Sequence, residues 1–173
     1  MFRAIAALAL ASAASQPTAT PSSSAPWWER VTVTVTDDGQ TQSCRYESSL
    51  APGGGKDCSV VGTAASMTHQ ASAKDEYTRI TFERRFSPTP SASLASLQPG
   101  ETLLGSQTLA LAIDGRGAVR GCKVVQSGGE VTPQYGCSDA AAERFTASAV
   151  SPRAGEHEGY MTVLVYGHSE HVV

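Results

Sequence analysis

Two stretches of this chain carry one pattern. Val31, Val33 and Val35 alternate with Thr, and Leu109, Leu111 and Ile113 alternate with Ala or a polar residue. With Val31 set on Leu109, an offset of 78, Gly39 falls on Gly117, Cys44 on Cys122, Arg45 on Lys123 and Ser49 on Ser127. One inserted residue brings Cys58 onto Cys137. Five in all bring Tyr77, Ile80 and Phe82 onto Tyr160, Val163 and Val165. A repeat of this length constrains the architecture more than any single motif, because each copy must form the same supersecondary unit.

Each copy reads as strand, strand, helix, strand. Strict alternation at 31–36 and 109–113 is the period of a half-buried strand. Asp37-Asp38-Gly39 and Asp114-Gly115-Arg116-Gly117 supply turn chemistry, with Gly available for positive φ. Second strands are predicted at 42–48 and 119–127, each followed by a Gly/Pro-rich loop. A helix then follows. Ser138 or Asp139 can cap it in the second copy, with Ala141, Phe145 and Ala149 on one face. Val60, Ala64, Met67 and Ala71 form the corresponding stripe in the first. Last strands are expected at 77–84 and 160–166. The predicted fold class is therefore α+β: tandem small ββαβ modules, each with an antiparallel sheet, one helix and one disulfide. The modules span 29–86 and 103–171, joined by a Ser/Pro/Ala-rich linker at 87–102.

Such modules are small, and the apolar content is thin. Leu, Ile, Val and Phe total 31 of 173 residues, while Ala alone contributes 25. Domains of this size ordinarily need a staple. The repeat pairs Cys44 with Cys58 and Cys122 with Cys137, each bond tying a second strand to a helix start. Closing a loop of about 15 residues contributes about 3 kcal/mol in the chain-entropy view. Neither the close C-x2-4-C spacing of a zinc site nor a redox C-x-x-C is present.

The N-terminus reads as an export signal. Arg3 precedes an apolar run from Ala4 to Ala11, and Ala11-Ser12-Ala13 is an A-x-A cleavage pattern. This assigns 1–15 to a signal peptide and 16–28 to a Pro/Ser/Thr/Ala linker, and places the product in the periplasm or outside the cell, where disulfides form. After signal cleavage no transmembrane segment is expected. A net charge of -3 without a basic run argues against a nucleic-acid partner.

The second copy resembles the TonB C-terminal domain family. The likeness rests on Leu109-Ala-Leu-Ala-Ile-Asp-Gly-Arg-Gly-Ala-Val-Arg-Gly-Cys-Lys-Val-Val-Gln-Ser-Gly-Gly129. It continues through Ala140-Ala-Ala-Glu-Arg-Phe145, Ser151-Pro-Arg-Ala-Gly155 and Tyr160-Met-Thr-Val-Leu-Val-Tyr166. It covers about 104–167, and the first copy shares it only through the repeat. The resemblance implies binding rather than catalysis: strand addition by an extended peptide of an envelope partner, such as an outer-membrane transporter, in TonB-dependent transport. The partner-binding edge it implies is the last strand, Tyr160, Met161, Thr162, Val163, Leu164, Val165 and Tyr166, whose unpaired backbone groups would receive the peptide. Alternatively this strand pairs with the first copy. The protein is then a self-contained structural or inhibitor-like envelope protein with no energy-transducing role.

No catalytic, cofactor-binding or metal-binding residues are assigned. The four His are His69, His157, His168 and His171, and no G-x-S-x-G elbow accompanies them. Asp114 reads as a turn residue rather than a catalytic acid. Trp27 and Trp28 are expected to cap the thin core of the first module, and Arg84 and Arg85 to be solvated at a strand end.

Overall fold

The structure is a computed structural model; it describes residues 20–36, 41–51, 53–58, 77–90, 97–146 and 155–169. The signal and most of the first linker, the 37–39 turn and the first helix stripe lie outside these residues, as do Ala149, His69 and His171.

Among the described residues seven antiparallel strands form one sheet. In chain order they are β1 (Trp27–Val35), β2 (Thr41–Ser48), β3 (Lys56–Asp57), β4 (Arg79–Ser87), β5 (Glu101–Ile113), β6 (Val119–Gly129) and β7 (His157–His168). Across the sheet they run β3-β2-β1-β4-β7-β5-β6. Helix α1 (Cys137–Ala142) lies between β6 and β7 in sequence. In each half the first strand is flanked by the second and the last. The two last strands pair at the centre over all of β4 and over 160–168 of β7, from Arg79 opposite His168 to Ser87 opposite Tyr160.

From Val31 to Val35 and from Leu109 to Ile113 the hairpins agree in register. Val31 faces Tyr46 and Val33 faces Cys44; 78 positions on, Leu109 faces Val124 and Leu111 faces Cys122. Each first strand also carries an irregularity at its end, between Thr34 and Val35 and between Ala112 and Ile113. The last strands match with a different offset from the one the sequence suggested. Val31 faces Phe82 and Leu109 faces Met161, so Phe82 answers to Met161, not Val165. The apolar period of two leaves such a strand free to slide by even steps, and pairing decides the register.

Strand limits also move. β1 starts at Trp27 and β5 at Glu101, both within stretches whose composition suggested linkers. Residues before β1 are anchored: Thr146 N–H donates to the Pro21 carbonyl (2.8 Å), and His157 shares a hydrogen bond with Ser23 (2.9 Å). The helix is shorter than the Ala141–Phe145–Ala149 stripe implied, six residues in all. Its end is set by tertiary pairing: Arg144 bridges to Ala118, and Phe145 N–H donates to the Gly117 carbonyl (2.9 Å). The predicted Asp139 does serve the helix start, but from inside the first turn, accepting from Gly136 N–H at 2.8 Å.

One sheet face carries the core. Around its second half, Phe86, Leu109, Leu111, Ile113, Met161 and Val163 pack beneath Tyr135, Ala140 and Phe145. Val33, Val35, Ile80, Phe82 and Val165 form a second cluster with Tyr77. Trp27 belongs to the former cluster, stacked on Phe86 at 5.8 Å between centroids, so it closes the second half's core rather than the first's. Disulfides Cys44–Cys58 and Cys122–Cys137 are both formed, with Cα separations of 5.0 and 5.5 Å. The latter joins β6 to the first residue of α1.

Candidate functional site

The implied docking strand is interior. β7 pairs with β4 on one side and with β5 on the other, so the backbone groups of residues 160–166 are paired on both sides. Met161, Val163, Leu164, Val165 and Tyr166 are buried, and Tyr160 and Thr162 are half-buried. The 160–166 edge therefore offers no open ladder to an incoming peptide. The chain satisfies that ladder with its own β4, which relieves the liability of an exposed edge.

Among the described residues the outer strands are β3, only two residues long, and β6, which has eleven. β6 is exposed over most of its length, and Val124 and Val125 are the large apolar side chains it presents (52% and 47% exposed). Val124 pairs with Leu109, and Val125 is the residue passed over where the pairing slips between Thr108 and Leu109.

The turn preceding β6 is built by Asp114. Its Oδ1 accepts from the backbone N–H of Arg116 (2.9 Å) and Ala118 (3.0 Å), and its Oδ2 accepts from Arg120 Nε (2.7 Å). The hydrogen bond from Ala118, then that from Arg120, hold the Asp114 carboxyl below its ordinary pKa. Its acceptors serve the turn, which is the role the sequence predicted.

The face opposite the core holds a polar cleft of about 460 Å³. Four guanidinium groups line it: Arg30 from β1, Arg45 from β2, and Arg79 and Arg85 from β4. Thr32 and Thr81 lie between them. Tyr166 and His168 of β7, with Gln98 and Glu101, close one side, and Glu47 the other. Alternation places these residues on one face: Arg30 and Thr32 on β1 share their face with Arg79, Thr81, Glu83 and Arg85 on β4.

Beneath the cleft Glu83 is buried, 1% exposed. Its Oε2 accepts from Arg30 Nε (2.9 Å) and the Tyr166 hydroxyl, and its Oε1 accepts from Arg85 Nε. Burial pushes the Glu83 carboxyl up, but the hydrogen bonds from Tyr166, Arg85 and Arg30 outweigh it and the pKa is lowered. Burial, and then the bond to Glu83, raise the Tyr166 phenol, so it stays protonated and donates. Arg30 also lies over the Trp28 ring at 5.1 Å.

Arg84 is the reverse of a solvated strand end. It points to the core face, pairs with Glu29 and Glu143, and lies over the rings of Trp27 (5.3 Å) and Tyr135 (5.2 Å). Arg85 is half-buried and held by Glu83.

Sequence reading missed the cleft. Its residues come from strands far apart in the chain. The one local signal was polar alternation on the outer face of β1 and β4, which becomes a cluster only when those strands pair. His157 and His168 stand at opposite ends of β7. No helix among the described residues is long and apolar enough to cross a membrane.

No protein-family model, no curated protein and no solved structure matches this chain.

Proposed function

We propose that the chain is an exported, non-enzymatic binding protein of the cell envelope. In this reading it is made of two TonB C-terminal-like units, each supplying the strand that the other would otherwise take from a partner. One observation carries the reading: β4 lies along β7 from Arg79 to Ser87, in the position that strand addition would give a peptide. The shared register of the two hairpins and the matching place of their end irregularities support descent of both halves from one unit. Internal complementation argues against an energy-transducing role at 160–166. Recognition of an extended peptide of an envelope partner then falls to β6, whose side away from β5 pairs with no strand among the described residues.

Hydrogen exchange tests this. The 160–166 amides of the free, oxidised protein should already be protected. An extended peptide from an outer-membrane transporter should add protection at 119–129 alone. Open 160–166 amides that become protected with peptide would overturn the reading and restore the last strand as the docking edge. If no envelope peptide protects β6, the self-contained structural role stands instead. Intact-mass measurement of the exported protein, with and without reductant, checks export and counts the disulfides.

A further inference from the structure

We propose that the polar cleft binds a phosphate monoester of monosaccharide size. This rests on a different face from β6 and is independent of strand addition.

Charge is the first argument. The chain as a whole carries -3, yet the cleft gathers four of its 13 basic residues. Against them stand Glu47 and Glu101 in the lining and Glu83 beneath it, so among the described residues four guanidinium groups face three carboxylates in a net negative protein.

Preorganisation is the second. Glu83 binds Arg30 through Nε and Nη2 (2.9 and 2.8 Å) and Arg85 through Nε. These bonds fix two planar guanidinium groups in the lining of the cleft. Such forks suit a phosphoryl group, whose oxygens accept paired N–H bonds. Arg30 and Arg85 side chains are each about one-third exposed (34% and 35%), so a ligand can reach them.

Size and lining are the third. About 460 Å³ lies within the range of small-molecule sites and equals about fifteen waters at about 30 Å³ each. A bare oxyanion would leave most of it filled with water. Among the described residues the remaining lining consists of hydroxyl, amide and imidazole groups from Thr32, Thr81, Gln98 and His168 and the Tyr166 side chain, with no Val, Leu, Ile, Met or Ala. That chemistry matches a polyol rather than an acyl chain.

The test is a titration of the full oxidised protein with glucose 6-phosphate, glucose and inorganic phosphate, followed by amide NMR shifts. Saturable shifts should centre on Arg30, Thr32, Thr81 and Arg85. Glucose 6-phosphate should bind at least tenfold more tightly than either half alone, and more weakly as salt rises. Arg45→Gln removes an exposed guanidinium that pairs with Glu47, and should weaken binding about fivefold. Arg85→Lys keeps charge but loses the fork, and should weaken it similarly. Arg116→Gln, in the distant turn, should leave affinity unchanged. A dispersed spectrum for each variant shows that it has folded. Absence of saturation, equal binding of glucose, equal binding of inorganic phosphate, or an equal effect of Arg116→Gln would each overturn the proposal. Binding to phosphatidate vesicles without binding to glucose 6-phosphate would overturn it as well.

Discussion

Arg84 of β4 forms an ion pair with Glu143, just beyond α1, and so ties the first half of the sheet to the cover of the second. The same guanidinium pairs with Glu29 on β1, and the Tyr135 hydroxyl donates to Glu143 at 2.8 Å. All three charged side chains are mostly buried (12% exposed for Arg84, 14% for Glu29, 19% for Glu143). Removing the cation strands two carboxylates. Arg84→Met should cost about 3–5 kcal/mol by denaturant titration. The triple variant with Glu29→Gln and Glu143→Gln should recover much of that loss, because no uncompensated charge remains.

Glu83 supplies the corresponding anchor on the other face. Its folded pKa is depressed, so its contribution to stability is complete above the ordinary glutamate range. It is lost as pH falls from that range through the folded value. Glu83→Gln should cost about 2–4 kcal/mol at neutral pH, since Arg30 and Arg85 keep partial access to water. Between pH 6 and pH 3 the variant should lose less stability than the parent. Equal acid slopes for both would refute the assignment.

The Cys122–Cys137 bond closes a loop of 15 residues between the outer strand and α1. Replacing both residues with Ala should lower stability by about 3 kcal/mol. Because α1 has only six residues, it depends on this tie more than on its own propensity. Faster exchange at 137–142 than at β5 is expected in that variant.

Gly117 closes the Asp114 turn with φ +81, and a Cβ there would stand 2.0 Å from the Phe145 carbonyl oxygen. Gly117→Ala should cost about 2–4 kcal/mol, from left-handed backbone strain together with a clash against main chain. Gly121 on β6 is the contrast. An added Cβ meets only the Ala112 methyl, at 3.5 Å, and Gly121→Ala should be neutral or stabilise by up to about 1 kcal/mol. Thermal melts of the two variants give the comparison directly.

The hairpins, the Cys pairing and the Asp114 turn were legible in the sequence because their information is local. Alternation over a few residues, a Gly at a turn and a spacing of 14 or 15 between Cys suffice to specify them. The helix was over-extended for the same reason. Phe145 lies at helical spacing from Ala141, but its N–H is taken by Gly117, which no local pattern records. Arg84 and Arg85 looked alike as neighbours, yet they belong to opposite faces, one buried among rings and carboxylates and the other lining a cleft.

The sequence alone determined what each half contains: two alternating strands, a staple and a closing strand. Tertiary structure decided where the closing strands go. A strand edge has no preference, readable from its own residues, between a partner's backbone and another strand of its own chain. The choice depends on which ladder lies within reach once both halves have formed. Here β4 reaches β7, and that one pairing buries the expected docking edge and brings Tyr166 alongside Glu83 to complete the cleft.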